Sequence, residues 1–222
     1  MYKTVAKSEI QKQILTKLIY HRTVRFRDLK PAKIGTNLFS YHIKQMMTSG
    51  LLEHEDDGYT LSTLGLAYID RLNDDGVLAY PQTKMVTMFV IQNSNGDLLL
   101  ERRNKQPYID TWTLPNGKLS IDDESLVQVV RNEVRKRFKL RGQKTRHAGD
   151  CYIRVHQNDA PITVTFAHIF AFETDKITVG DDFMWARPHK LHTLNLAPAV
   201  DQIVARTFFR DPFFFEEFEH DW

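Results

Sequence analysis

The segment from Gly117 to Leu140, GKLSIDDESLVQVVRNEVRKRFKL, constrains the fold of this chain more than any other stretch. It begins at a turn, Leu114–Gly117, and continues through an acidic loop, Asp122–Glu124. Apolar residues then recur at a spacing of four, which is the pattern of an amphipathic helix with one buried face. These residues are Leu126, Val130, Val134 and Phe138. The segment therefore predicts a tight turn, an acidic loop and a helix that packs on a larger core.

This order resembles the Nudix box, Gly-x5-Glu-x7-Arg-Glu-U-x-Glu-Glu-x-Gly-U, where U is a bulky aliphatic residue. If the loop carries one extra residue, Gly117 and Glu124 match the opening glycine and the first glutamate, and Glu133 matches a later glutamate. The motif's arginine, its acidic pair and its second glycine are replaced by Asn132, Lys136, Arg137 and Lys139.

An ungapped register is the alternative. It aligns Asp123 and Arg131 with the motif but loses Glu133, and it places Arg135 and Lys136 at the acidic pair. In both registers, basic residues stand where the motif has its Glu-Glu pair.

The resemblance implies a site in which helix carboxylates hold divalent metals that bind a nucleoside diphosphate linked to another group. Mg²⁺ prefers oxygen ligands, so two cations beside one carboxylate would repel the metal. The candidate metal ligands that remain are Asp123, Glu124 and Glu133, and Glu133 is the residual catalytic candidate. We therefore expect no efficient hydrolysis and no required cofactor. Mg²⁺ or Mn²⁺ enters only if the chain is a hydrolase after all.

The same basic residues could neutralise a pyrophosphate without metal, because lysine and arginine are common phosphate ligands. The resemblance also implies that arginines after the second strand approach the ligand. The predicted ligand-binding residues are Arg102, Arg103, Lys118, Lys136 and Arg137. The alternative is a solvated basic helix face and an ordinary surface pair of arginines.

Charge is distributed unevenly at the start of the chain. Residues 1–50 carry a net charge of +8, and residues 51–75 carry −6, whereas the whole chain carries +2. A nucleic acid would meet the local basic stretch and not the average.

The first third reads as three helices, a hairpin and a fourth helix. We predict helices from Ser8 to Tyr20, from Arg27 to about Lys33, from Thr36 or Asn37 to Gly50 and from Thr63 to Asn73, with a hairpin turn at Asp57-Gly58. Pro31 is the alternative end of the second helix, or a bend within it. The third helix should bury Phe39, Ile43, Met46 and Met47, and the fourth should bury Leu64, Ala67, Tyr68 and Leu72. With Ser40–Lys44, Gly50–Leu52 and Tyr59-x-Leu61-x3-Gly65, this order resembles a bacterial winged helix-turn-helix domain.

In such domains the third helix enters the major groove of DNA. The predicted DNA-binding residues are Arg25, Arg27, Lys33, Asn37, Ser40, Tyr41 and Lys44. The polar side chains could read base edges, and the cations could hold phosphates. The alternative is a protein–protein or dimer module, because the hairpin tip, His54-Glu55-Asp56-Asp57, is acidic and would be repelled by phosphates.

The rest of the chain follows a linker marked by Asp74–Gly76 and Pro81. We predict strands at Lys84–Gln92, Asp97–Glu101, Cys151–Val155 and Ile162–Glu173, and a final helix after Ala197-Pro198. This succession resembles the α/β/α sandwich of Nudix proteins. The predicted fold class is α+β with two domains, a winged helix over residues 1–78 and a Nudix-like domain over residues 79–222.

The last fifteen residues are crowded with aromatic side chains, which predict either completion of the core or a domain or homodimer contact. They are Phe208, Phe209, Phe213, Phe214, Phe215, Phe218 and Trp222. The single cysteine, Cys151, is predicted to be a buried structural thiol. His189 and His192 are close in sequence but lack acidic or cysteine neighbours, so no histidine metal site is predicted.

No apolar run is long enough for a membrane span, and the start lacks the apolar core of a signal peptide, so we expect a cytoplasmic protein without a membrane partner.

The combined pattern predicts a DNA-binding transcriptional regulator whose degenerate Nudix domain binds a nucleotide-type small molecule. The alternative is a metal-dependent Nudix hydrolase with an accessory winged helix. RNA processing is a third possibility that no motif specifically favours.

Overall fold

The computed structural model describes residues 8–70, 83–120, 123–208 and 213–222. The first of these ranges forms four helices and three short strands. They are α1 (Glu9–Ile19), β1 (Thr23–Val24), α2 (Phe26–Leu29), α3 (Thr36–Thr48), β2 (Leu52–Glu55), β3 (Gly58–Leu61) and α4 (Thr63–Asp70). The order agrees with the predicted order of helices and hairpin, and β1 is an additional strand that pairs with β3.

The predicted start of the first helix is confirmed. The Ser8 hydroxyl accepts a hydrogen bond from the backbone N–H of Gln11 at 3.3 Å, and the Gln11 side chain accepts one from the Ser8 N–H at 3.3 Å. This reciprocal pair satisfies two amides that have no partner inside the helix. Ile14 and Leu18 are fully buried on the inner face of α1.

Several predicted boundaries in this region are wrong. The second helix ends at Leu29 and does not reach Lys33, because Lys30 precedes Pro31 and adopts an extended conformation. The alternative, an end at Pro31, is therefore nearer to the structure. The third helix begins after Gly35, whose backbone forms the N-cap in place of a side chain of Thr36 or Asn37.

Two predicted core residues lie at the surface. Met47 is 38% exposed and Leu64 is 40% exposed, because the inner faces of α3 and α4 are filled by neighbouring residues. The buried residues include Phe39, Ile43 and Met46 on α3, and Leu66, Ala67, Tyr68 and Ile69 on α4. The predicted end of the fourth helix, with Leu72, and the predicted linker fall outside the described residues.

The hairpin turn is formed by Asp56-Asp57, and Gly58 already belongs to β3. Gly58 has a φ of +146°, and a Cβ atom there would lie 2.5 Å from the carbonyl oxygen of Val24. Glycine is therefore required for β1 to pair closely with the hairpin.

The later ranges form one large mixed sheet. Its strands are β4 (Lys84–Gln92), β5 (Leu98–Arg102), β6 (Trp112–Thr113), β7 (Asn116–Lys118), β8 (Arg146–Gln157), β9 (Ala160–Glu173), β10 (Phe183–Ala186) and β11 (Phe214–Asp221). The main order is β10-β5-β4-β9-β8-β11, with β6 on β5 and β7 on β4. The pairs β4–β9 and β8–β11 are parallel. The predicted strand at residues 84–92 is confirmed, whereas β8 extends well beyond its predicted core.

Helices cover the sheet. α5 (Leu126–Phe138) buries Val129, Val130, Val134 and Phe138, and it packs against Phe89, Phe170 and Phe172 on one face. On the other face, α6 (Val200–Phe208) and a 3-10 helix (Pro188–Thr193) join a second apolar cluster. That cluster continues into α1, α3 and α4, so both parts of the chain share one apolar core.

The aromatic tail completes the sheet, which is one of its two predicted roles. Phe214 of β11 is buried and pairs with Gly149, and the Trp222 ring meets the Tyr108 ring edge-on at 4.9 Å. Phe213 and Phe215 remain about half exposed at the sheet edge. Within the described ranges, helices are too short or too polar to cross a membrane.

Candidate functional site

A cavity of about 550 Å³ lies between the first part of the chain and the larger sheet. Its walls come from α1, the end of α4, strands β4 to β7, the loop after β5 and one residue of α5. Cationic side chains dominate the lining, with seven cations against three acids. The cations are Lys12, Lys84, Arg102, Arg103, Lys105, Lys118 and Arg137, and the acids are Glu9, Asp70 and Glu101.

The loop after β5 holds the two parts together around this cavity. The Gln106 N–H donates to the carbonyl of Ile19 at the end of α1, at 2.8 Å. The Arg22 guanidinium donates to the carbonyl of Ile109 at 3.0 Å. Lys105 lies over the Tyr20 ring, 5.5 Å from its centroid. The loop is therefore in direct contact with the end of α1 and the turn that follows it.

Lys84 is one of the least exposed cations of the cavity, with 23% of its side chain exposed. It forms an ion pair with Asp70, whose side chain is only 7% exposed. Burial lowers the pKa of the Lys84 ammonium, and the neighbouring Asp70 opposes that shift. This pair joins the end of α4 to the first strand of the sheet, so it lies at the junction of the two predicted domains.

Of the two predicted arginines after the second strand, Arg103 is the more buried. Burial lowers the pKa of its guanidinium, which donates to the carbonyl of Pro107 at 2.6 Å and lies over the Tyr108 ring. Arg102 is half exposed and pairs with Asp110 at 3.0 Å. Arg102 therefore has more freedom to reach a bound anion.

α5 is the helix of the Nudix-box segment, called the box helix below. It contributes Arg137 to the cavity and turns Lys136 away from it. Arg137 forms an ion pair with Glu101 and donates to the Asn116 carbonyl. Lys136 is exposed and lies beside Arg135, Lys139 and Arg141 on the outer surface. The structure thus places Lys136 and Arg137 on different surfaces, because of the charged residues of α5 only Glu133 and Arg137 turn partly toward the sheet. That both bind one ligand stays a prediction.

The backbone favours the register with one extra loop residue. Lys139 ends α5 at φ 59° and ψ 17°, the left-handed conformation that glycine adopts most easily, and this register places the motif's glycine there. The ungapped register would place it at Phe138, a buried helical residue. Glu133 lies against Gly117, where an added Cβ would meet its carboxylate at 2.9 Å.

The three acidic candidates are not gathered into one site. Asp123 accepts a hydrogen bond from the Ser120 N–H at 2.7 Å, and Glu124 is exposed before α5. In the ranges that the structure describes, neither they nor Glu133 belongs to a group of three potential metal ligands.

The predicted DNA-binding residues of α3 share one exposed surface. Asn37, Tyr41 and Lys44 are exposed at successive turns, and Ser40 lies half-buried beside them. The Tyr41 hydroxyl accepts a hydrogen bond from the Gln45 amide at 2.6 Å, which orients the phenol along the helix. The helix is fixed from below, where Phe39 meets Phe26 at 4.9 Å.

The flanking cations are less favourably placed. Arg25 shares a shallow concavity with Asp56 and Asp57 of the hairpin tip. Arg27 is 3.5 Å from Asp28, and Lys33 is exposed in the turn before α3. α3 itself therefore carries one of the predicted cations, Lys44, and the others lie in flanking segments, where Arg25 and Arg27 have acidic neighbours.

Sequence reasoning missed the contributions of Lys12, Lys84 and Lys105 to the cavity, because they come from separate elements. It also missed a cluster of His147, Asp150 and His168. The prediction of a buried structural thiol is confirmed for Cys151. Burial raises the pKa of this thiol to about 12.

No protein-family model and no curated protein matches this chain. Solved structures do. A MutT protein from Bacillus halodurans is 14% identical, with a TM-score of 0.50 over 61% of this chain and 89% of its own. The Nudix domain of Shewanella oneidensis NrtR, solved with ADP ribose, is 15% identical, with a TM-score of 0.45 over 63% and 93%.

NrtR solved with a 27mer DNA is 15% identical, with a TM-score of 0.47, and the match covers 55% of this chain and 59% of that protein. At these identities the likeness establishes the fold alone. The larger sheet and its helices therefore have the Nudix fold, and the chain is an α+β protein.

Proposed function

We propose that this protein is a DNA-binding regulator in which residues 1–78 form a winged helix and residues 79–222 form a nucleotide-sensing Nudix-like domain. The observation that carries the proposal is the cationic cavity, whose walls come from both parts of the chain. A ligand held there would touch α1, and α1 packs against α3, the predicted DNA-reading helix. Ligand binding and DNA binding would then be coupled through the packing of α1 on α3.

The ligand class follows from the lining. Seven cations facing three acids favour a doubly charged anion such as a diphosphate, and the half-exposed Arg102 can pair with it directly. The predicted ligand set becomes Arg102, Arg103, Lys118 and Arg137, with Lys12, Lys84 and Lys105 added from the structure. Because the box helix presents Arg137 and not an acidic pair to this cavity, we propose binding without efficient hydrolysis and without a required metal.

The proposed DNA surface is the exposed face of α3. Asn37, Ser40 and Tyr41 would face base edges, and Lys44 would hold a phosphate, with Arg25, Arg27 and Lys33 at the margin. The alternative use of this domain, a contact with another protein, predicts binding partners but no salt-dependent DNA affinity.

A homodimer is also part of the proposal, because operators are commonly read by paired modules. Phe215 on the edge strand β11, and Phe213 just before it, are exposed and could pack against a second copy. Truncation of the tail is a poor test, since it removes a strand of the sheet. Replacing both rings by serine and measuring mass by light scattering tests the dimer, and an unchanged dimer contradicts this surface.

The function is tested by two binding measurements on the full chain. Thermal shift with ADP, ADP-ribose and inorganic pyrophosphate, in chelator, should reveal binding without metal. Fluorescence anisotropy with fragments of genomic DNA should reveal salt-dependent binding that changes when the bound compound is added. Absence of both signals overturns the proposal.

The hydrolase alternative keeps one specific observation in its favour, the contact of Glu133 with Gly117 in the box register. It predicts Mg²⁺- or Mn²⁺-dependent release of phosphate that Glu133→Gln abolishes, with ligands from Asp123 and Glu124. Turnover of that kind would exclude the purely sensing function.

A further inference from the structure

We infer that His147, Asp150 and His168 form a binding site for a divalent transition metal such as Zn²⁺. His147 Nε2 and His168 Nδ1 each lie 2.8 Å from the same carboxylate oxygen of Asp150. All three ligand atoms lie within 4.8 Å of one another. Imidazole and carboxylate are the usual protein ligands of Zn²⁺, and three such ligands leave a fourth position for water or another group.

The backbone is specifically arranged to bring these side chains together. Residues three apart in a regular strand point to opposite faces of a sheet. A β-bulge between His147 and Gly149 inserts one extra residue into β8, so that His147 and Asp150 lie on the same face. His168 is the direct cross-strand partner of Asp150 on β9. A shift of one residue in β8 would separate the cluster.

Aromatic rings fix the two imidazoles. The His147 ring stacks on Phe170 at 4.7 Å, and Phe213 meets it edge-on at 5.2 Å. The His168 ring meets Phe166 at 5.3 Å. The ligand side chains keep exposures between 15% and 34%, so the cluster is held in place and still reached by solvent.

The two separations between imidazole nitrogen and carboxylate oxygen need only a small increase to accept a metal. Zn²⁺ binds nitrogen and oxygen at about 2.0–2.2 Å, so ligand atoms of a tetrahedral site lie about 3.4 Å apart. The observed separations of 2.8 Å are those of hydrogen bonds. A metal replaces the N–H hydrogen of each imidazole. Each imidazole nitrogen must then move about half an ångström away from the Asp150 oxygen.

This site is separate from the cationic cavity and from the box carboxylates. It lies on the α5 face of the sheet, where Thr87 stands between His168 and Gly117 in adjacent strands. Two strand spacings separate His168 from Gly117, which is about 10 Å. With two nitrogen ligands and one carboxylate it should favour Zn²⁺, Co²⁺ or Ni²⁺ over Mg²⁺.

The test is Co²⁺ and Zn²⁺ titration of the full chain, free of histidine tags and treated with chelator. Co²⁺ absorption reports the coordination, and calorimetry reports stoichiometry. We expect one Co²⁺ per chain, displaced by Zn²⁺ and not by Mg²⁺, and binding weakened at least about tenfold by Asp150→Asn or His168→Gln. The matched control is His156→Gln, because His156 also lies on β8 near a carboxylate, Glu219 at 3.5 Å.

No saturable binding by the unaltered chain, or an equal loss in His156→Gln, would show a hydrogen-bond network only and overturn the inference. If the cluster variants do not fold, imidazole NMR of the unaltered chain decides the question. Co²⁺ should then broaden the signals of His147 and His168 before those of His156. The reverse order rejects the site.

Discussion

The cations of the cavity and the single lysine of α3 differ in how the fold holds them. In the cavity, Lys84, Arg103 and Arg137 are largely buried and are held by ion pairs or carbonyl groups. On α3, Lys44 is exposed to solvent. Lysine and arginine are thus largely desolvated in the cavity, whereas the charge of Lys44 on α3 is screened by water and salt. Substitutions should affect stability and small-ligand binding in the cavity, and salt-dependent association on α3.

The largest effect should come from Asp70→Ala. It leaves the Lys84 ammonium buried without its partner, which costs about 3 kcal/mol of unfolding free energy, since Lys84 keeps some solvent contact. Denaturant unfolding measures the loss. The control is Asp28→Ala, which removes an exposed ion pair with Arg27 and should change stability by less than about 0.5 kcal/mol.

The pH dependence of that loss sharpens the comparison. Without Asp70, the pKa of Lys84 falls further below its ordinary value of 10.5, because burial is no longer opposed. The unfolded state then binds more protons than the folded state below this value, so the stability of the variant rises with pH. We expect the loss to shrink between about pH 7 and about pH 9.5. A loss that grows with pH contradicts the buried ammonium.

Next in size is the effect of Arg137→Gln on ligand binding. It removes a cation that lines the cavity and leaves Glu101 without its partner, so affinity for ADP should fall about tenfold. Lys136→Gln is the matched control one residue away on the outer surface, and it should change affinity less than about twofold. Calorimetry in chelator measures both. Equal effects would remove the distinction between the two cations.

A smaller effect is expected for Lys44→Gln on DNA binding. Because this variant has one phosphate-binding cation fewer, the slope of log affinity against log salt should become shallower by about 0.9. Anisotropy over a salt series measures the slope, with Lys139→Gln as the control on a different exposed helix end. An unchanged slope in Lys44→Gln excludes α3 as the surface that holds the phosphates.

The smallest effect should come from the hairpin tip. The double change Asp56→Asn and Asp57→Asn removes two exposed acids beside Arg25. DNA affinity should rise less than about threefold, since we propose that the hairpin tip lies off the DNA and salt screens its field. The same anisotropy assay measures it. A rise of tenfold or more would mean that the hairpin lies on the DNA.

Local sequence patterns predicted much of the element order. The Ser8 cap, the strand at residues 84–92 and the apolar stripe of the box helix follow from spacing that acts within a few residues. Errors occurred where neighbours in space decided the outcome. Met47 and Leu64 have the chemistry of core residues, but other side chains already fill the space beneath them.

The residues of the candidate sites also fall into two groups, those that the sequence predicted and those that only the tertiary structure brings together. Arg102, Arg103, Lys118 and Arg137 were predicted from the resemblance to Nudix proteins and do line one cavity. Lys12 and Lys84 join them only because α1 and α4 pack beside the sheet. The cluster of His147, Asp150 and His168 depends on a single bulged residue, which the sequence of β8 does not reveal.

The sequence by itself determined that the box lacks its acidic pair, since Lys136 and Arg137 stand there in the favoured register. Only the tertiary structure decided that these two cations lie on different surfaces, Arg137 in the cavity and Lys136 on the outer face of α5. Residues at i+3 and i+4 differ by a large angle around a helix, and packing of Val130, Val134 and Phe138 on the sheet turns Arg137 inward and Lys136 to solvent. A helix sequence specifies its polar residues, but the surface that it packs against specifies which of them meet a ligand.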